Sequence, residues 1–97
     1  MTNLRPGDEF EQLVADTFRE LWPCQSLIPD DKVLGKSGVR RQIDLSARGT
    51  TALGLDVFKI VEAKDWNQRI PIGEIEKLHG LLDDVQADEA AMVAGQG

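Results

Sequence analysis

Apolar residues recur with two periods along the chain, and the changes of period divide it into six elements. From Asp8 to Trp22, the residues Phe10, Leu13, Val14, Thr17, Phe18, Leu21 and Trp22 follow the i, i+3, i+4, i+7 spacing of a helix with one buried stripe. Asp8 and Glu9 suit its positive N-terminal end, and Pro23 stops it. Cys24 to Gly35 reads as an irregular strand broken at Pro29, followed by a flexible turn, Gly35-Lys36-Ser37-Gly38. Arg40 to Arg48 alternates, with Ile43, Leu45 and Ala47 facing one way and Gln42, Asp44, Ser46 and Arg48 the other. A turn over Gly49 to Gly54 leads into a returning strand, Asp56 to Lys64, so these two strands pair as an antiparallel hairpin. After a polar loop from Asp65 to Arg69, a helical period resumes from Ile72 to Ala87. Its expected buried line is Ile75, Leu78, Leu82 and Val85, with Gly80 as a point of close packing and His79 at the edge as a structural or surface residue. Ala90 to Ala94 is short and apolar, as a buried strand would be. The order is α-β-β-β-α-β, which makes this an α/β chain of one domain spanning residues 1–97.

Certain polar positions stand out against that pattern. Glu11 projects between Phe18 and Trp22, inside the apolar stripe of the first helix, at about 100° per residue. A half-buried carboxylate needs a cation, a base or a proton; at the helix edge it reaches water instead. The third strand ends in Glu62-Ala63-Lys64, whose acid and amine lie on the same face because side chains alternate. The hairpin brings Asp44 beside Glu62, and two close carboxylates repel unless a cation or a shared proton intervenes. The competing reading of Asp44 is a solvated acid paired with Arg40 or Arg41. Glu-x-Lys is a weak signal by itself, and Asp30-Asp31-Lys32 repeats its spacing in a polar stretch after a proline, where it reads as a decoy. Gly35-Lys36-Ser37-Gly38 is no phosphate loop, because Asp30 occupies the place of the first required glycine and a strand follows in place of a helix.

Composition narrows the chemistry. One Cys and one His among 97 residues cannot assemble a zinc cluster, so a metal site would be built of oxygens, which favours Mg²⁺ or Mn²⁺. The lone Cys24 also fits a reducing, cytoplasmic setting, and no apolar run is long enough to cross a membrane. The net charge of −6 is unevenly spread: Lys32 to Arg69 carries eight bases and four acids, while the flanks carry thirteen acids and three bases. A central block at +4 between flanks at −10 suits a phosphate-facing surface, and equally a solvated basic hairpin.

The order of elements, with Glu11 on the first helix, Asp44 on the second strand and Glu62-Ala63-Lys64 on the third, resembles the restriction-endonuclease-like nucleases, and among them the Mrr-type restriction endonuclease family. Gly7-Asp8-Glu9-Phe10-Glu11, Gln42-Ile43-Asp44-Leu45, Val61-Glu62-Ala63-Lys64-Asp65-Trp66 and Ile70-Pro71-Ile72-Gly73-Glu74-Ile75 carry the likeness, in order and over nearly the whole chain. The resemblance implies a mixed central sheet flanked by helices and hydrolysis of DNA phosphodiesters. It implies Asp44, Glu62, the Ala63 carbonyl and Glu11 as ligands of Mg²⁺ or Mn²⁺, and Lys64 as the residue that orients water and meets developing charge. Lys36, Arg40, Arg41 and Arg69 would contact the DNA backbone. Family members act as dimers or as modules fused to a DNA-reading domain, and commonly continue with another helix where this sequence reaches Gly95-Gln96-Gly97. Two other readings use the same residues: an inactive DNA-binding or assembly module of this fold, and an unrelated small α/β interaction domain in which Glu62 and Lys64 are a surface pair.

Overall fold

The computed structural model describes residues 8–22, 25–65 and 71–95, leaving aside the side chains of Asp8, Phe10 and Asp65. Its elements are α1 (Asp8–Leu21), β1 (Ser26–Leu34), β2 (Arg40–Thr50), β3 (Asp56–Asp65), α2 (Ile72–Val85) and β4 (Glu89–Gly95). The sheet order is β1-β2-β3-β4; β1, β2 and β3 are antiparallel, and α2 carries the chain across to β4, which is parallel to β3. The element order is the one the periodicities predict, and the mixed sheet is the one the resemblance implies. None of the described helices is long and apolar enough to cross a membrane.

Each helix covers one face of the sheet. Val14 and Ala15 of α1 are buried with Leu45 and Val61, flanked by Phe18, Trp22, Ala63 and Val93. On the other face Leu81 and Val85 of α2 are buried with Ile43, Phe58 and Ile60. Ile43 and Leu45 are two positions apart, yet they join opposite clusters, so the alternation expected along β2 fails at Asp44. The neighbouring strand changes face as well, since Leu27 packs with the α1 cluster and Val33 with the α2 cluster. Between those two, Asp30 adopts a left-handed backbone at φ 51°, which turns the side-chain series over without disturbing the pairing of Pro29 with Leu45 and Asp31 with Ile43. Pro29 does not break β1, because an edge strand tolerates a missing N–H.

Both helices are rotated from their expected orientation. Leu13 and Leu21 are each 62% exposed and Thr17 is exposed, because α1 seats Val14, Ala15, Phe18 and Trp22 and leaves one flank of a broad apolar stripe uncovered. Ile75 is exposed, and Leu81 takes its place in the buried line of α2. A Cβ on Gly80 would meet nothing within 4 Å, so this glycine does not mark close packing.

The β1–β2 turn is fastened to α2 by Asp84, a buried carboxylate the apolar pattern did not reveal. The Ser37 amide and hydroxyl donate to it at 2.9 Å each, and Arg41 donates at 3.0 Å. Burial alone would raise its pKa, but these donors and the Arg41 charge outweigh burial and hold it below the usual carboxylate range. Gly35 passes so close that a side chain there would overlap the Asp84 carboxylate. Gly35→Ala should therefore destabilise the fold by about 1–3 kcal/mol, as overpacking does, whereas Gly80→Ala should stabilise it by up to about 1 kcal/mol through helix propensity. Urea melts of the two variants, shifting in opposite directions, are the expected result.

Candidate active site

β2 and β3 stop exchanging backbone hydrogen bonds at one end of the sheet. Their ladder runs from Thr50 opposite Asp56 to Leu45 opposite Val61, and beyond it side chains take over. The Asp44 N–H donates to Glu62 Oε2 at 3.3 Å, and the Ala63 N–H donates to Asp44 Oδ2 at 2.9 Å. The exchange lays two half-buried carboxylates against each other. The Glu62 carboxyl is pushed up to about 8, first by burial and then by the hydrogen bond and negative charge of Asp44; the Asp44 amide and Lys64 offset this only in part. The arrangement favours the protonated form of Glu62 well above the pH at which a free glutamate ionises.

Asp44 belongs to a second grouping. Carboxylate oxygens of Glu11, Asp30 and Asp44 lie within 4.8 Å of one another. Glu11 arrives from the first turn of α1 and is half-buried, as its place in the apolar stripe required. Asp30 is exposed, stands across from Asp44, and accepts a long 3.5 Å hydrogen bond from Gln42 Nε2. Asp31, next to it, accepts from the buried Ser46 hydroxyl at 2.6 Å.

Glu62 and Lys64 point to the α2 side, into a cavity of about 190 Å³ that Arg41 and Glu74 also line, above Leu81 and Met92. The Lys64 Nζ lies 3.8 Å from Glu74 Oε2. The expected residues thus divide. Asp44 lies within 4.8 Å of Glu11 and is hydrogen-bonded to Glu62, Lys64 shares the cavity with Glu62, and Arg41 lines it while bonded to Asp84. Ala63 gives its N–H to Asp44. Lys36 lies apart in an exposed ion pair with Asp83 at 2.9 Å, Arg40 is exposed at the start of β2, and Arg69 falls outside the described residues. Two acids at the site, Asp30 and Glu74, were not anticipated. Asp30 was discounted as part of a decoy, although the hairpin of β1 and β2 sets it opposite Asp44; Glu74 sits in the first turn of α2, a place that acids favour for the helix dipole alone.

A mixed sheet between two helices, with acids and a lysine gathered where its strands part, is the architecture of the restriction-endonuclease-like class of α/β proteins. Residues 4–97 match the Mrr_cat family, described as restriction endonuclease, and the chain belongs to that family. No curated protein and no solved structure matches it. The family implies a nuclease that uses a divalent metal, and the site fits one: every donor is an oxygen, and burial together with the neighbouring Asp44 carboxylate raises the Glu62 pKa, a cost that a cation would relieve.

The raised Glu62 pKa has a signed consequence for stability. Glu62 binds its proton more tightly folded than unfolded, so its contribution is complete below about pH 4.5 and is lost as pH rises through about 8. Thermal midpoints measured in EDTA should fall across that window, and Glu62→Gln should flatten the fall. Millimolar Mg²⁺ should raise the midpoint most at the alkaline end, where no proton competes for Glu62.

Proposed function

We propose that this chain is an endodeoxyribonuclease that hydrolyses DNA phosphodiesters with Mg²⁺, Mn²⁺ serving in its place. The observation that carries the reading is the contact of the Asp44 and Glu62 carboxylates at the parted strand ends, with Lys64 on the same face as Glu62. Asp44 and Glu62 would hold the ion, with Glu11 and the Ala63 carbonyl completing the set. When bound, the ion supplies Lewis acidity toward a phosphate oxygen and lowers the pKa of water.

The chain's own groups do the rest. Asp44 is oriented by the Ala63 N–H before any ligand arrives, and Glu62 by the Asp44 N–H, so little ordering remains to be done on binding. Glu62, whose pKa is raised, would have to release its proton to hold an ion, so loading would depend on pH. The Lys64 ammonium orients the attacking water and meets the charge that builds on the phosphoryl oxygens. Arg41, fixed by Asp84, and Lys36, Arg40 and Arg69 contact the DNA backbone, which contributes affinity without sequence choice. The protein acts in the cytoplasm, as a homodimer or joined to a DNA-reading module.

Plasmid nicking in Mg²⁺ and in EDTA tests the reading. Lys64→Ala should lower cleavage by several orders of magnitude while metal still binds, because the lysine acts on the water and the transition-state charge. Asp44→Ala should lose both. Cleavage that survives both substitutions would place the activity elsewhere, and DNA binding with no cleavage by the wild type would identify an inactive module.

A further inference from the structure

We propose that Glu74 is the positioning residue for Lys64, holding its ammonium away from the metal-binding acids; the inference rests on the nuclease reading above and extends it to a residue of α2. Lys64 has carboxylates on two sides. Glu62 is two residues back on the same strand face, and Glu74 faces it from the helix that lines the other wall of the cavity. Among the described residues, the ion pair that Lys64 makes is with Glu74, at 3.8 Å, and not with Glu62. The second oxygen of Glu74 accepts from Lys77 Nζ at 3.4 Å.

Exposure separates these two contacts. Glu74 is 20% exposed and Lys64 35%, whereas Lys77 is 78% exposed. Water screens the Lys77 contact, so the Lys64 pairing is the stronger of the two. The reason for a carboxylate at this place lies in the flexibility of lysine. A four-carbon stem leaves the ammonium free to move toward the largest nearby negative charge. Without Glu74 that charge is the Asp44–Glu62 pair, and an ammonium drawn there would occupy the oxygens that take the cation and leave the phosphate side without its positive charge. Glu74 supplies a counter-pull from a fixed element, since Leu81 and Val85 seat α2 in the core and Asp84 ties it to the β1–β2 turn. Glu74 itself touches neither phosphate nor metal in this reading and acts through Lys64.

Single-turnover cleavage of supercoiled plasmid at saturating DNA and Mg²⁺ tests this in wild type, Glu74→Gln, Lys64→Ala and the double variant. Glu74→Gln should slow cleavage by about 10- to 100-fold, the scale of a misplaced catalytic group, with the DNA and Mg²⁺ half-saturation points within about twofold of wild type. In the Lys64→Ala background the same change should cost nothing further, since the group it positions is gone. Glu74→Asp keeps the charge with a shorter reach and should fall between, and it reads the same quantity if Glu74→Gln does not fold. A shifted Mg²⁺ midpoint would make Glu74 a metal ligand, and multiplicative losses in the double variant would make it an independent actor; either result overturns the inference, as does a wild-type rate in both Glu74 variants. A wild type that does not cleave removes the nuclease reading first and this inference with it, an outcome distinct from active wild type with indifferent Glu74 variants.

Discussion

Two hydrogen bonds at the parted end of β2 and β3 are the interaction on which the rest of the molecule depends. When strands separate inside a protein, their N–H groups lose partners, and an unpaired buried N–H costs about as much as a lost hydrogen bond, roughly 1–3 kcal/mol. Here the carboxylates of Glu62 and Asp44 take those places, accepting from the Asp44 and Ala63 amides. The fold thereby needs two acids where the site needs them, and it fixes their direction through the backbone. The cost is their burial and mutual repulsion, which together raise the Glu62 pKa. Under the proposed reading, local stability and metal binding are in tension at the same four oxygens, as expected where function is built into a strand end.

Asp44 can serve acids on both sides of the sheet because β2 changes face at that residue. Glu11 comes with α1, and Glu62, Lys64 and Glu74 belong to the α2 side. A strand with unbroken alternation would commit Asp44 to one side. The left-handed backbone at Asp30 permits the turnover in the neighbouring strand, and it also carries the Asp30 carboxylate into the group with Glu11 and Asp44. Both helices begin near this end of the sheet, so each contributes an acid from its first turns, where the helix dipole favours negative charge.

Much of this arrangement is legible in the residues. The hairpin follows from an alternating run and a returning strand on either side of a glycine-bounded turn, and its register is enough to set Asp44 beside Glu62. Glu11 was visible because a carboxylate inside an apolar stripe requires an explanation. What the pattern hid has physical causes. The turnover at Asp44 is matched in the neighbouring strand by a non-glycine residue at positive φ, Asp30, which no local composition announces. The rotation of α1 follows from a stripe wider than the face it covers: period alone ranks Leu13 with Val14, and only the neighbouring strands decide that Val14 goes in. Asp84 lies one position from the apolar line of α2, and its burial is made possible by Ser37 and Arg41, partners 47 and 43 residues away.

The basic block read from the sequence is real, but the structure divides its members by how firmly their acids hold them. Lys36 is 52% exposed and pairs with Asp83, itself 67% exposed; a pair of that kind is worth about 0–1 kcal/mol and exchanges readily with a phosphate. Arg41 is one-third exposed and bonded to a nearly buried carboxylate that also holds Ser37, so it cannot leave without stranding Asp84. One guanidinium nitrogen is committed to that bond, and Arg41 still lines the cavity beside Glu62 and Lys64. Under the proposed reading the two bases act differently on DNA. Lys36 changes partners and adds a salt-sensitive increment of affinity, while Arg41 stays where Asp84 keeps it, a fixed donor against which the sugar–phosphate chain is aligned.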